Sequence, residues 1–112
     1  MLLVGGDDEV RTLVAQALVD EGLTVDEAVD AHDALDIVGY APPDVVSYSL
    51  GWGAGIRALD ELERTIVERG NRAPAVVLST PAWARTRRGV TLRGRVRPHE
   101  LIAAIEDAVR RR

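Results

Sequence analysis

Apolar residues along this chain follow two alternating rhythms. Met1–Val4 is an unbroken apolar run of short-strand length. Asp7 comes next, a side chain suited to cap a helix N-terminus. Val10, Leu13, Val14, Ala17 and Leu18 then recur at i, i+3, i+4, i+7 and i+8, which predicts a helix burying that face and ending at Gly22. Leu23–Ala28 alternates and predicts a second strand, at a sheet edge. Asp30 is placed to cap a second helix with Ala34, Leu35 and Val38 inward, and Pro42-Pro43 then breaks the chain. Val45–Leu50 predicts a third, buried strand. Beyond Gly51-Trp52-Gly53-Ala54-Gly55, the apolar residues Ile56, Leu59, Leu62, Ile66 and Val67 predict a third helix from about Ile56 to Arg69, closed by Gly70. Ala75–Ser79 and Val90–Leu92 predict the fourth and fifth strands. Pro98 suits a first helical turn, and Leu101, Ile102, Ile105, Ala108 and Val109 form the stripe of a last helix. Strand–helix units of this length predict a single α/β domain over residues 1–112, a parallel sheet with helices on both faces and right-handed crossovers.

Composition narrows the chemistry. A chain of 112 residues with 46% apolar content suits one globular domain and argues against disorder. There is no cysteine, hence no disulfide and no thiolate metal site. Met1-Leu2-Leu3-Val4 is too short for a signal peptide and no stretch is long enough to span a membrane, so a cytoplasmic protein is expected. All 14 basic residues are arginine, so no step can use a lysine amine. The net charge of −4 hides a division: residues 1–70 hold 15 acids and 4 arginines, residues 71–112 hold 3 acids and 10 arginines. A basic second half suits an acidic partner.

The order and lengths of these segments resemble the receiver domain of bacterial response regulators, best over Leu2–Leu18, Asp30–Val38, Pro42–Leu50, Pro74–Ser79 and Pro98–Val109. Ala41-Pro42-Pro43-Asp44-Val45-Val46 looks like the lead-in to that family's phospho-acceptor strand. The resemblance implies the flavodoxin/CheY-like doubly wound fold, a five-stranded parallel sheet in the order 2-1-3-4-5. It also implies five chemical groups at the carboxyl ends of the strands. Two acids after the first strand hold Mg²⁺, an aspartate ends the third strand, a Ser or Thr ends the fourth, and a lysine follows the fifth. In this chain the acids fall on Gly5 and Gly6, the acceptor on Ser49 and the hydroxyl on Ser79. The lysine falls on Gly94, or on Arg93 with one insertion. A hard cation needs carboxylate oxygens. The resemblance therefore implies a degenerate pseudo-receiver: no Mg²⁺ or other cofactor, no enzymatic activity, and signalling by protein–protein contact without phosphorylation.

Other readings of the same residues are weaker. A two-residue slip could bring Asp7 or Asp8 toward the site and keep a phospho-accepting domain, but it would take Asp7 off its cap and rotate the apolar face by about 200°. Asp44 lies about 16 Å from the productive end of its strand. Ser49 has no base beside it, since His32 and His99 fall at helix starts. Gly51, Gly53 and Gly55 do not match a phosphate-binding loop. Trp52 between them either packs over the site or anchors a partner.

Thr80–Gly89, with Pro81, Trp83, Arg85, Arg87 and Arg88, is too short for a full crossover helix, so the helix between the fourth and fifth strands is expected to be shortened or missing. Receivers commonly meet partners on the face made by that helix, the fifth strand and the last helix. That face is expected to collect Arg85, Arg87, Arg88, Arg93, Arg95 and Arg97, and these arginines together with Trp83 and the Trp52 loop are the expected contacts for an acidic protein surface or a second copy of the chain. Nucleic acid is disfavoured by the negative net charge and the lack of any nucleic-acid motif.

Overall fold

The computed structural model describes residues 1–50, 55–70, 72–81 and 89–111. Its strands are β1 (Leu2–Val4), β2 (Asp26–Ala28), β3 (Val45–Ser49), β4 (Ala75–Thr80) and β5 (Val90–Arg93). Its helices are α1 (Asp8–Asp20), α2 (Ala31–Val38), α3 (Ile56–Glu68) and α4 (Pro98–Arg110). All strand pairs are parallel and the order is β2-β1-β3-β4-β5. This is the doubly wound fold expected from the sequence. Of the segment Thr80–Gly89, residues 82–88, with Trp83, Arg85, Arg87 and Arg88, lie outside the described residues, as does Trp52.

Side-chain alternation along the strands builds two cores. Leu2, Val4, Val46, Tyr48, Val76 and Leu78 face α2 and α3, where they meet Ala34, Val38, Leu59, Leu62 and Ile66. Leu3, Val45 and Val77 face the other way, toward Val14 and Leu18 of α1 and Ile105 and Ala108 of α4. Burying both faces explains why β1 and most of β4 read as continuous apolar runs, and why β3 is buried over Val45–Tyr48. Local signals fix the helix starts: Asp7 Oδ1 accepts the Val10 N–H at 3.0 Å, and Asp30 Oδ1 accepts the Asp33 N–H at 2.9 Å.

Three sequence expectations need correction. In α1 the buried residues are Val14, Ala15 and Leu18, whereas Leu13 is 57% exposed and Val10 and Ala17 are not buried. The buried face is rotated toward Ala15, which joins Val14 and Leu18 in the core against Leu3, Val45 and Val77. The second strand covers only Asp26–Ala28, since β1 offers just Leu2–Val4 as its partner. Leu23 and Val25 pack under α1 and α4 instead. Val67 is exposed near the end of α3, where the buried stripe runs Leu59, Leu62, Ile66.

Gly89 delivers the chain to β5 at φ +58°, so close to Val76 that an added Cβ would overlap the Val76 carbonyl oxygen. Only glycine fits this approach.

Tyr48 fastens β3 to the start of α3. Its ring is fully buried and its hydroxyl donates to the Gly55 carbonyl at 3.0 Å. Burial, and then the charge of Asp30, push the phenol above its usual range. The neutral phenol is the form the fold favours. Its stabilisation is complete below the unfolded value and is lost as pH rises through that value toward the higher folded one. Tyr48→Phe is expected to lower stability by about 1 kcal/mol at neutral pH. In denaturant titrations the difference from wild type should shrink at strongly alkaline pH.

Candidate functional site

Parallel pairing brings the carboxyl ends of four strands to one rim. Gly5 N–H donates to the Ala28 carbonyl at 2.9 Å as the chain leaves β1. Ser49 stands opposite Ser79 in the β3–β4 register, and Leu50 N–H donates to the Ser79 carbonyl at 2.8 Å. Gly94 N–H donates to the Thr80 carbonyl at 2.9 Å where β5 ends. Between this rim, the start of α1 and the β5–α4 connection lies a cavity of about 420 Å³. Gly5, Gly6, Ser49, Ser79, Thr80, Gly94, Arg95 and Arg97 all line it.

Gly5 and Gly6 do more than lack carboxylates. Both adopt left-handed backbone, at φ +73° and +81°. A Cβ on Gly6 would stand 3.0 Å from Ser49 Oγ, and one on Gly5 would stand 3.4 Å from the Ser49 carbonyl oxygen. The turn out of β1 is therefore packed directly on Ser49, in a conformation that side chains adopt only at a cost.

The acids just downstream are engaged elsewhere. Asp7 lines the cavity, but one of its oxygens caps α1. Asp8 pairs with Arg11 at 2.7 Å. Arg11 also reaches Glu27 at 3.3 Å and donates to the Gly5 carbonyl at 3.3 Å, with its side chain only 10% exposed. It ties the β1–α1 turn to β2. That role was not read from the sequence, where Arg11 is one charge in an acidic stretch; its spacing of three from Asp8 was the available signal. Among the described residues, no group of three or more His, Asp or Glu side chains is gathered as a metal would need.

Among the described residues, two hydroxyls of the rim have no partner. Ser79 Oγ and Thr80 Oγ1 are buried without a hydrogen bond, and Thr80 is 3% exposed. Of the two positions matched to the lysine, Gly94 lines the cavity, while Arg93 is exposed at the end of β5 beside Thr80. Arg95 and Arg97 are exposed at the cavity wall, and none of the ion pairs among the described residues involves them. Arg97 N–H donates to Glu100 Oε1 at 3.3 Å, which braces the start of α4. Asp44 sits at the opposite end of the sheet, near Met1 and Thr24. His32 and His99 are exposed near the starts of α2 and α4.

The sheet order, the crossovers and the placement of the rim define a receiver-like fold. Among solved structures, NtrX from Brucella abortus, determined in complex with ATP, superposes with a TM-score of 0.73 at 24% identity, covering 98% of this chain and 26% of that one. The N-terminal domain of an uncharacterized protein from Wolinella succinogenes gives 0.69 at 20% identity, covering 97% and 92%. The chain thus spans about a quarter of the NtrX chain, and at these identities the likeness establishes the fold. No protein-family model and no curated protein matches the sequence. None of the described helices is long and apolar enough to cross a membrane.

Gly6→Asp, which puts an acid back by sequence, should meet the strained φ and the Ser49 contact. Thermal or denaturant unfolding should show a loss of about 1–2 kcal/mol, whereas Asp8→Asn, on the exposed side of the turn, should cost well under that.

Proposed function

We propose that this chain is an atypical, degenerate receiver that signals through protein–protein contact and accepts no phosphoryl group. The observation that carries this reading is the packing of Gly5 and Gly6 on Ser49. The three positions matched to the metal acids and the acceptor stand together at the rim, and none bears a carboxylate. An aspartyl acceptor supplies a charged nucleophile, and adjacent acids hold the cation that offsets phosphoryl charge. A serine hydroxyl beside two glycines supplies neither. Displaced acids fit poorly as substitutes, because Asp7 caps α1 and Asp8 pairs with Arg11.

The contact surface in this reading is the arginine-bearing side of the domain. Arg93, Arg95 and Arg97 are exposed on β5 and the β5–α4 connection. In sequence they follow Arg85, Arg87 and Arg88, which lie outside the described residues. An acidic protein surface complements this side, and so does the acid-rich first part of a second copy, which would give head-to-tail association. Such contacts weaken as salt rises. The negative net charge disfavours nucleic acid as the partner.

Incubation with a small-molecule phosphodonor and Mg²⁺, followed by intact mass measurement, tests the reading. The mass is expected to stay unchanged while an active receiver treated in parallel gains one phosphate. A stoichiometric gain by this chain would overturn it.

A further inference from the structure

The rim cavity itself has features beyond those of a contact surface, and it shares Arg95 and Arg97 with the arginine-bearing side. At about 420 Å³ it has the size of a small-molecule site. Val10, Val14, Val96 and Leu101 contribute apolar surface to it, while Arg95 and Arg97 also line it and make no ion pair among the described residues. Ser79 also lines it, with an Oγ that is buried and unpaired among the described residues, on the sheet face that also carries Ser49. A buried hydroxyl left unpaired is costly, and a ligand group reaching Ser79 Oγ would offset that cost. Gly5 and Gly6 matter here in a second way. Carboxylates at these positions would repel an anion, and their absence leaves Asp7 as the acid of the wall, with one oxygen already bonded to backbone.

We propose that this cavity reversibly binds a small organic oxyanion, a phosphate or carboxylate group carried on an apolar body. The oxyanion head lies between the guanidinium groups of Arg95 and Arg97 and the hydroxyls of Ser49 and Ser79. Arginine presents paired donors suited to either oxyanion. The apolar body lies against α1 and the first turn of α4, near Val14 and Leu101. Reaching Ser79 Oγ takes a side-chain rotation. The ligand is held without a covalent bond, so no nucleophile, metal or leaving group is required. Because it bridges α1, the rim and the β5–α4 connection, its occupancy couples directly to the exposed arginine side. This inference goes beyond the reading of the domain as a contact module and does not depend on which protein it meets.

Titration of the ¹⁵N-labelled chain with phenyl phosphate, inorganic phosphate and phenol tests it. Phenyl phosphate should cause saturable shifts at the amides of Gly5, Gly6, Ser79 and Gly94, inorganic phosphate should bind about tenfold more weakly, consistent with the loss of roughly two buried methylene equivalents, and phenol should leave these amides unmoved. Ser79→Ala should keep or raise the unfolding temperature, because it removes an unpaired buried hydroxyl, and should weaken phenyl phosphate several-fold. Replacing Arg95 and Arg97 together with alanine should abolish binding while the remaining amide spectrum is preserved. Absence of shifts, shifts centred elsewhere, equal binding of phenol or of inorganic phosphate, or an unchanged affinity in Ser79→Ala would each overturn the proposal. A covalent phosphate gained from a phosphodonor would instead strike at the contact-module reading, and reversible titration distinguishes the two.

Discussion

Everything at the candidate site depends on parallel pairing in fixed register. A parallel sheet turns all its strands out at the same end, so the residues that follow β1, β3, β4 and β5 must meet there whatever their chemistry. The pairing of Val4 with Tyr48, Ser49 with Ser79 and Thr80 with Arg93 sets this rim to within a residue. A one-residue slip would reverse the facing of every side chain in the strand that moved and exchange the two cores. The buried valines and leucines on both faces therefore hold the site residues in place.

Given that rim, the character of the site follows from small local choices. Left-handed glycines turn the chain out of β1 and let the turn rest on Ser49. Arg11 secures the same turn from outside through Gly5, Asp8 and Glu27. The acids of this stretch thus serve structure, as a helix cap and as arginine partners, while the positive groups across the cavity stay unpaired among the described residues. The cavity is thus bordered by the hydroxyl residues Ser49, Ser79 and Thr80, by Arg95 and Arg97, and by Asp7, whose carboxylate caps α1.

Much of this was legible in the sequence because the signals were local. Asp7 and Asp30 cap where their positions suggest, Gly22 and Gly70 adopt positive φ just past their helices, and the apolar runs become the central strands. The matching of Gly5, Gly6, Ser49 and Ser79 to one site rested on strand ends, which parallel topology brings together. What escaped was set by packing between elements. Leu13 shares a helical stripe with Val14 and Leu18, and only the sheet decides that Ala15 faces inward instead. Leu23 and Val25 alternate like strand residues, but the brevity of β1 limits the ladder they could join. The tie from Arg11 to Glu27 and the tether from Tyr48 to Gly55 are set by packing between elements, and for Arg11 the sequence offered only its spacing from Asp8.

The central claim, a rim built without cation chemistry, is tested most directly by titrating Mg²⁺ into the ¹⁵N-labelled chain and following the amides of Gly5, Gly6, Ser49, Ser79 and Gly94. The account predicts no saturable shift at these positions at millimolar Mg²⁺ beyond that produced by an equal ionic strength of sodium chloride. A saturable, Mg²⁺-specific shift centred on Gly5, Gly6 and Ser49 would contradict it.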